Sequence, residues 1–104
     1  MAWLQLAAAG VLEIVWAFAM KQSYGFTRLV PTLVTGIAMT GSVGLLGLSM
    51  RSLPLGTAYT VWTGIGAVGA FLVGIMVLGE AASPARVLAV ALIVIGLVLL
   101  KSAS

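Results

Sequence analysis

One acidic residue, Glu13, lies inside the apolar stretch GVLEIVWAFAMK, which covers residues 10–21. A charged side chain at the centre of a membrane-spanning helix costs about 3 kcal/mol on insertion scales, so it is rare without a function. Apolar surroundings favour the protonated acid, whereas the ionised carboxylate attracts a cation. Glu13 is therefore the first candidate for a site that binds a proton or a cation. The alternative is a permanently protonated acid that hydrogen-bonds a neighbouring helix.

Side chains suited to a cation recur near this acid at helical spacing. Gly10 and Trp16 lie three residues before and after Glu13, on the same helical face. Ser42 can donate a hydroxyl hydrogen bond to a carboxylate or, alternatively, bond a carbonyl of its own helix. One face of a later apolar run carries rings and hydroxyls that could surround an organic cation. Its two rings, Tyr59 and Trp62, could instead belong to an interfacial belt. The same face also contains Thr63 and Gly66.

The composition indicates that most of the chain is solvated by lipid. Of its 104 residues 62% are hydrophobic and 7% are charged, whereas a soluble domain has roughly 25% charged residues. The absence of histidine and cysteine excludes disulfides, thiol chemistry, Cys/His metal sites and a Ser-His-Asp triad. The net charge of +3 comes from isolated residues, which do not form a nucleic-acid-binding stripe. We expect an integral membrane protein that is not an enzyme and needs neither a cofactor nor a metal.

Four apolar runs predict an all-α membrane protein with one four-helix domain over residues 1–104. The predicted helices cover about 2–20, 31–50, 57–78 and 84–101. The first three have the length of about 20 residues that is needed to cross the hydrocarbon core. The fourth run is shorter, and we expect it to span the bilayer only with its ends snorkelling to the headgroups.

Two short motifs within these runs imitate unrelated signals. Residues 17–19, Ala-Phe-Ala, are similar to a signal-peptide cleavage site, but the run before them contains an acid and lacks a basic start. Residues 64–69, GIGAVG, have the G-x-G-x-x-G spacing of dinucleotide folds, but a bilayer has no place for the required sheet. We interpret both motifs as parts of transmembrane helices.

The basic residues are divided almost evenly between the two sides of a four-helix topology. Lys21, Arg28 and Arg86 would lie on one side, and Arg51 and Lys101 on the other. Because Lys/Arg asymmetry sets orientation, three against two predicts either a weak preference or insertion both ways with antiparallel pairing. Four short helices are also too few to enclose a polar cavity, so we expect an oligomer in either case.

From end to end, the sequence resembles the small multidrug resistance family of four-helix, proton-coupled exporters. The resemblance rests on Glu13, the segment AYTVWTGIGAVG at 58–69, the LGE turn at 78–80 and a glycine-bearing fourth helix. Trp16 in EIVW and Lys101 in LLK are similar to the guanidinium-exporting subtype rather than to the polyaromatic-cation subtype.

The resemblance implies an antiparallel, dual-topology homodimer in the bacterial inner membrane, with one central site. Two copies of Glu13 would bind either protons or guanidinium, and this competition would couple inward proton flow to export by alternating access. The implied site residues are Glu13, Trp16, Ser42, Tyr59 and Trp62, with Gly10 nearby and Thr63 and Lys101 as support. Gly64 and Gly66 would form a hinge in the third helix, and Gly96 would be a dimer contact. Lys101 could equally offset a helix dipole and snorkel.

Three alternative functions are also compatible with the sequence. The first is an exporter of quaternary ammonium antiseptics from the same family. The second is a rotor-type, proton-translocating subunit, but such subunits are helical hairpins and this chain has four runs. The third is a passive assembly partner in which Glu13 pairs with another chain. Binding of guanidinium or protons by the purified protein alone would exclude the passive partner.

Overall fold

Four α-helices and short connections make up the computed structural model, which describes residues 2–103. The helices are α1 (Ala2–Gln22), α2 (Leu29–Ser49), α3 (Leu55–Met76) and α4 (Pro84–Ala103), and this range contains no strand. Each helix is long and apolar enough to cross a membrane. The all-α, four-helix membrane fold predicted from the sequence is therefore confirmed.

The helix ends differ slightly from those expected, for local reasons. α2 begins at Leu29, two residues before Pro31. A proline fits there because the first four N–H groups of a helix have no partner within the helix. α4 begins at Pro84 after Ser83, whose hydroxyl accepts a hydrogen bond from the Arg86 N–H at 3.2 Å, as an N-cap does. It continues to Ala103, so its 20 residues match a full span.

The helices pack in the spatial order α2, α1, α3, α4. α1 lies between α2 and α3, whereas within residues 2–103 α4 approaches the backbone of α3 and of no other helix. No residue of α4 is buried. The core therefore forms where α1, α2 and α3 meet, and its buried members are Leu6, Ala9, Leu46, Ala58 and Val61.

Glycines set the distances between neighbouring helices. A Cβ at Gly10 of α1 would lie 2.5 Å from Ile65 Cγ2 of α3. A Cβ at Gly64 of α3 would lie 2.6 Å from Leu97 Cδ2 of α4. Both positions need glycine because the facing side chain fills the space that a methyl group would take. α3 is a continuous helix through Gly64 and Gly66, so a hinge at these residues stays a prediction.

Candidate cation-binding site

The Glu13 side chain points from α1 onto the backbone of Gly66 in α3. A Cβ at Gly66 would lie 2.7 Å from Glu13 Cγ and closer still to the carboxyl group. Gly66 is buried and Glu13 is partly buried. The missing side chain at Gly66 therefore makes the space in which the carboxyl group lies.

Two buried side-chain atoms near this contact have no hydrogen-bond partner within residues 2–103. They are Glu13 Oε1 and Trp16 Nε1. Buried polar groups are nearly always hydrogen-bonded, so exceptions point to a role that involves another molecule. A carboxylate oxygen accepts hydrogen bonds, whereas an indole N–H only donates them. A cation with N–H groups would satisfy Glu13, and an acceptor from outside this chain would satisfy Trp16.

Ser42 connects three helices next to the Glu13 turn. Its hydroxyl donates to the Ala9 carbonyl of α1 at 2.6 Å and accepts from Trp62 Nε1 of α3 at 2.9 Å. In a regular α-helix the Ala9 carbonyl also accepts the backbone N–H of Glu13. The expected donation from Ser42 to a carboxylate does not occur here, nor does back-bonding within α2. The close packing of α2 on α1 brings the Ala9 carbonyl within reach of the hydroxyl instead.

The face of α3 that carries Tyr59, Trp62 and Thr63 lies partly toward α2 and partly toward the groove between α3 and α4. The rings of Tyr59 and Trp62 have centroids 5.6 Å apart and planes tilted by 50°. Trp62 bonds inward to Ser42, whereas the Tyr59 residue is 52% exposed. Tyr59 and Thr63 line a groove of about 570 Å³ between α3 and α4. Within one chain, only part of the predicted aromatic box therefore faces the α1–α2 side.

The other three predicted site residues lie in separate surroundings. Gly10, one turn before Glu13, packs against Ile65 of α3. Gly96 is exposed on α4, and no atom of the described residues lies within 4 Å of a Cβ built there. Lys101 Nζ lies 5.3 Å from the ring centroid of Trp3, which is about 15 Å along α1 from Glu13. The single chain thus brings Lys101 to one end of the bundle and not to the acid.

A second charged cluster lies after α3, and the sequence alone identifies its residues only as part of the LGE turn and as a basic loop residue, without pairing them. Glu80 Oε1 lies 3.9 Å from Arg86 Nη2, and the Arg86 guanidinium lies 5.1 Å from the Phe71 ring centroid. Gly79 has a φ of 70°, which glycine adopts without strain, and this turn returns the Glu80 side chain to Gly74. The sequence does offer a signal for this pair, because Glu80 is one of only two acidic residues in the chain and Arg86 follows it by six residues.

Comparisons with known proteins identify the family. The family model described as Small Multidrug Resistance protein matches residues 1–93. This chain belongs to the small multidrug resistance family. It is 56% identical over 101 residues to a guanidinium exporter of Citrobacter freundii, covering 97% of this chain and 96% of that protein. A guanidinium exporter of Yersinia pseudotuberculosis is 56% identical over 104 residues, which is the full length of both chains.

The family membership confirms the resemblance seen in the sequence and gives the location of the protein. Together with the four apolar helices, it makes this small multidrug resistance protein a multi-pass protein of the bacterial inner membrane. Another similar protein, from Salmonella typhimurium, is 54% identical over 101 residues and is also named a guanidinium exporter.

Proposed function

We propose that this protein is a transporter that exports guanidinium and related small guanidinyl cations in exchange for protons. The observation that carries the proposal is the Glu13 carboxyl group, which lies against Gly66 with Oε1 buried and without a hydrogen-bond partner among residues 2–103. The names of the similar proteins support guanidinium as the substrate.

The chemistry of the carboxylate fits this ion. A planar guanidinium can donate two parallel N–H hydrogen bonds to a carboxylate, which is the strongest arrangement for such a pair. Trp16 lies one helical turn beyond Glu13, and the face of an indole ring attracts a cation. A proton and a guanidinium ion compete for the same oxygens, so binding of one favours release of the other. Guanidinium binding should accordingly weaken as the pH is lowered.

Exchange across the membrane requires that Glu13 be reached from one side at a time. Alternating access of this kind commonly moves helices around a fixed midplane site. Gly64 and Gly66 are the candidate hinge because α3 has no side chains there to resist bending. The contacts of Gly64 with α4 and of Gly66 with Glu13 would link such bending to the bound ion.

A second, antiparallel copy of the chain completes this proposed site. α4 has no buried residue and presents Gly96, and small residues let membrane helices approach closely. No acceptor for the Trp16 N–H lies within residues 2–103, and the Glu13 carboxylate of a second copy would be one. The near-equal distribution of basic residues permits insertion in both orientations.

The decisive experiment compares guanidinium uptake into proteoliposomes under a proton gradient for the wild-type protein and Glu13→Gln. We expect uptake by the wild type and only background uptake by the variant, because an amide can neither release a proton nor pair with a cation. Thr40→Ala is the matched control. Among residues 2–103 its exposed hydroxyl bonds only the Gly36 carbonyl of its own helix, so uptake should remain at the wild-type level.

The other outcomes separate the alternatives. Uptake by Glu13→Gln at the wild-type rate would mean that the carboxyl group is structural. Uptake of a quaternary ammonium ion without uptake of guanidinium would favour the antiseptic-exporter function. If the purified wild-type protein transports neither ion and binds neither guanidinium nor protons, it depends on a partner.

A further inference from the structure

We propose that Glu80 and Phe71 form a second, weaker guanidinium site at one membrane end of the α1–α3 interface, and that Arg86 occupies this site when no free ion is bound. The inference rests on the proposed guanidinium export. It adds a step in which the ion exchanges with an arginine of the protein before it reaches Glu13.

The contacts of Arg86 show the recognition that such a site offers. Its guanidinium lies over the ring of Phe71 and faces the carboxylate of Glu80, with Nη2 3.9 Å from Oε1. Nη1 also donates to the carbonyl of Ala81 in the same loop. A carboxylate beside an aromatic face binds a planar cation through charge pairing and stacking. The protein thus already holds one guanidinium group by these two means.

The pair between Arg86 and Glu80 can be exchanged at little cost. Their separation of 3.9 Å exceeds hydrogen-bond distance, and the two side chains are 44% and 43% exposed. Exposed ion pairs of this kind contribute little to stability. Within residues 2–103 no hydrogen-bond donor contacts the Glu80 carboxylate, so both oxygens can accept from an incoming ion.

A cavity of about 350 Å³ between α1 and α3 gives a free ion space at this site. Glu80 and Phe71 both line the cavity, whereas Arg86 does not. A guanidinium ion in the cavity would therefore meet the carboxylate and the ring that Arg86 contacts, and would compete with Arg86 for them. Lys21 also lines the cavity, and its ammonium group lowers the affinity for a second cation. The site should accordingly hold the ion weakly and release it readily.

The position of the cavity relates it to the Glu13 site. The Glu80 carboxyl group lies against Gly74, where a Cβ would be 2.5 Å from Oε1, just as Glu13 lies against Gly66. These glycines are eight positions apart, so the two contacts are about 12 Å apart along α3. The cavity extends toward Glu13. Its lining includes Ala17 of α1 and Ala70 of α3, which lie one helical turn closer to Glu13 than Lys21 and Gly74 do.

The test follows the side-chain Nε–H resonance of Arg86 by NMR in Glu13→Gln protein labelled with ¹⁵N-arginine. The chain has three arginines, Arg28, Arg51 and Arg86, so Arg86→Lys identifies the resonance. Guanidinium chloride is the ligand, and tetramethylammonium chloride at equal concentration is the control for ionic strength. The Glu13→Gln background removes the mid-membrane carboxylate, so the titration reports on the second site alone.

We expect a saturable shift of the Arg86 resonance with guanidinium and none with tetramethylammonium, while Arg28 and Arg51 change little. Glu80→Gln should abolish the saturable shift, and Phe71→Leu should weaken binding several-fold while keeping an apolar side chain at that position. In an otherwise wild-type protein, Glu80→Gln should raise the KM for guanidinium several-fold and leave kcat nearly unchanged.

Equal shifts with both salts would overturn the proposal, because they would show screening rather than binding. An unresponsive Arg86 in a protein whose wild type transports guanidinium would overturn this site and leave the proposed function intact. A saturable response in a protein that transports no guanidinium would support the site and contradict the proposed function.

Discussion

The two acidic residues of this chain lie in opposite settings, although each rests on a glycine of α3. Glu13 lies within α1, with a buried carboxyl oxygen that no group of the described chain satisfies. Glu80 lies in the loop after α3, nearly half exposed and 3.9 Å from Arg86. Charge interactions are strong in a medium of low dielectric constant and weak beside water. The buried acid is therefore suited to selective binding, and the exposed acid to rapid exchange.

The packing around the two acids differs in the same way. Glu13, Gly66 and the Ser42–Trp62 hydrogen bond lie where α1, α2 and α3 are closely packed. α4 contacts the rest of the chain through Leu97 and Leu100, which pack against the core, and through cations over rings near its two ends. We therefore expect large effects from small changes around Glu13 and small effects from changes at the ends of α4.

Among changes in helix packing, Gly66→Ala should have the largest effect. The added Cβ would occupy the position of the Glu13 carboxyl group, so the acid or the helix has to move. Overpacking of this kind typically costs about 1–3 kcal/mol. The displaced carboxyl group is the proposed ion-binding group, and each loss of about 1.4 kcal/mol from binding is a factor of ten in affinity. We therefore expect proton-driven uptake at a subsaturating guanidinium concentration to fall by about tenfold.

Gly36→Ala is the matched control for this change. In the described part of the chain nothing lies within 4 Å of a Cβ at Gly36, and alanine is favoured over glycine inside a helix by about 0.5–1 kcal/mol. Uptake and stability should therefore be unchanged or slightly increased. Equal losses for Gly36→Ala and Gly66→Ala would show that the Glu13 contact is not special.

The fold could be predicted from the sequence because it depends on the lengths of apolar runs and on the positions of proline and glycine along the chain. A run of about 20 apolar residues must form a spanning helix, since the bilayer offers no partners for an open backbone. Proline and glycine then mark the ends closely enough to leave only small shifts, such as α2 beginning at Leu29 rather than Pro31. The same one-dimensional information identified Glu13 as exceptional.

The partners of the site residues could not be predicted, because they depend on how the helices are rotated against one another. Periodicity placed Gly66 and Trp62 on one face of α3 but could not show that Gly66 meets Glu13 while Trp62 meets Ser42. The pairing of Glu80 with Arg86 depends on a left-handed turn at Gly79, which one glycine in a loop does not reveal.

An intermediate effect is expected at the hydrogen bond between Trp62 and Ser42. Ser42→Ala removes the acceptor for a partly buried indole N–H, and an unsatisfied donor costs about 1–3 kcal/mol. Adding Trp62→Phe removes that donor, so the double variant should lose less stability than the sum of the single variants by about 1 kcal/mol. Unfolding in detergent measures these differences.

Ser49→Ala is the control for this double-mutant cycle. Ser49 is also fully buried, but its hydroxyl donates only to the Leu46 carbonyl of its own helix, which already accepts the Met50 N–H. Its removal should therefore cost less than the removal of Ser42. A larger loss at Ser49, or strict additivity at Ser42 and Trp62, would contradict the importance of the link between helices.

The smallest effect is expected where α4 ends. Lys101 Nζ lies 5.3 Å from the ring centroid of Trp3, and a cation over a ring at an exposed site contributes about 0.5–1 kcal/mol. Lys101→Gln should lower the free energy of unfolding by no more than this, and Lys101→Arg should retain it. In a Trp3→Leu background, which lacks the ring, Lys101→Gln should not lower the free energy of unfolding further. A loss as large as that at Gly66 would mean that the end of α4 is packed as closely as the Glu13 region, and the contrast between the two regions would fail.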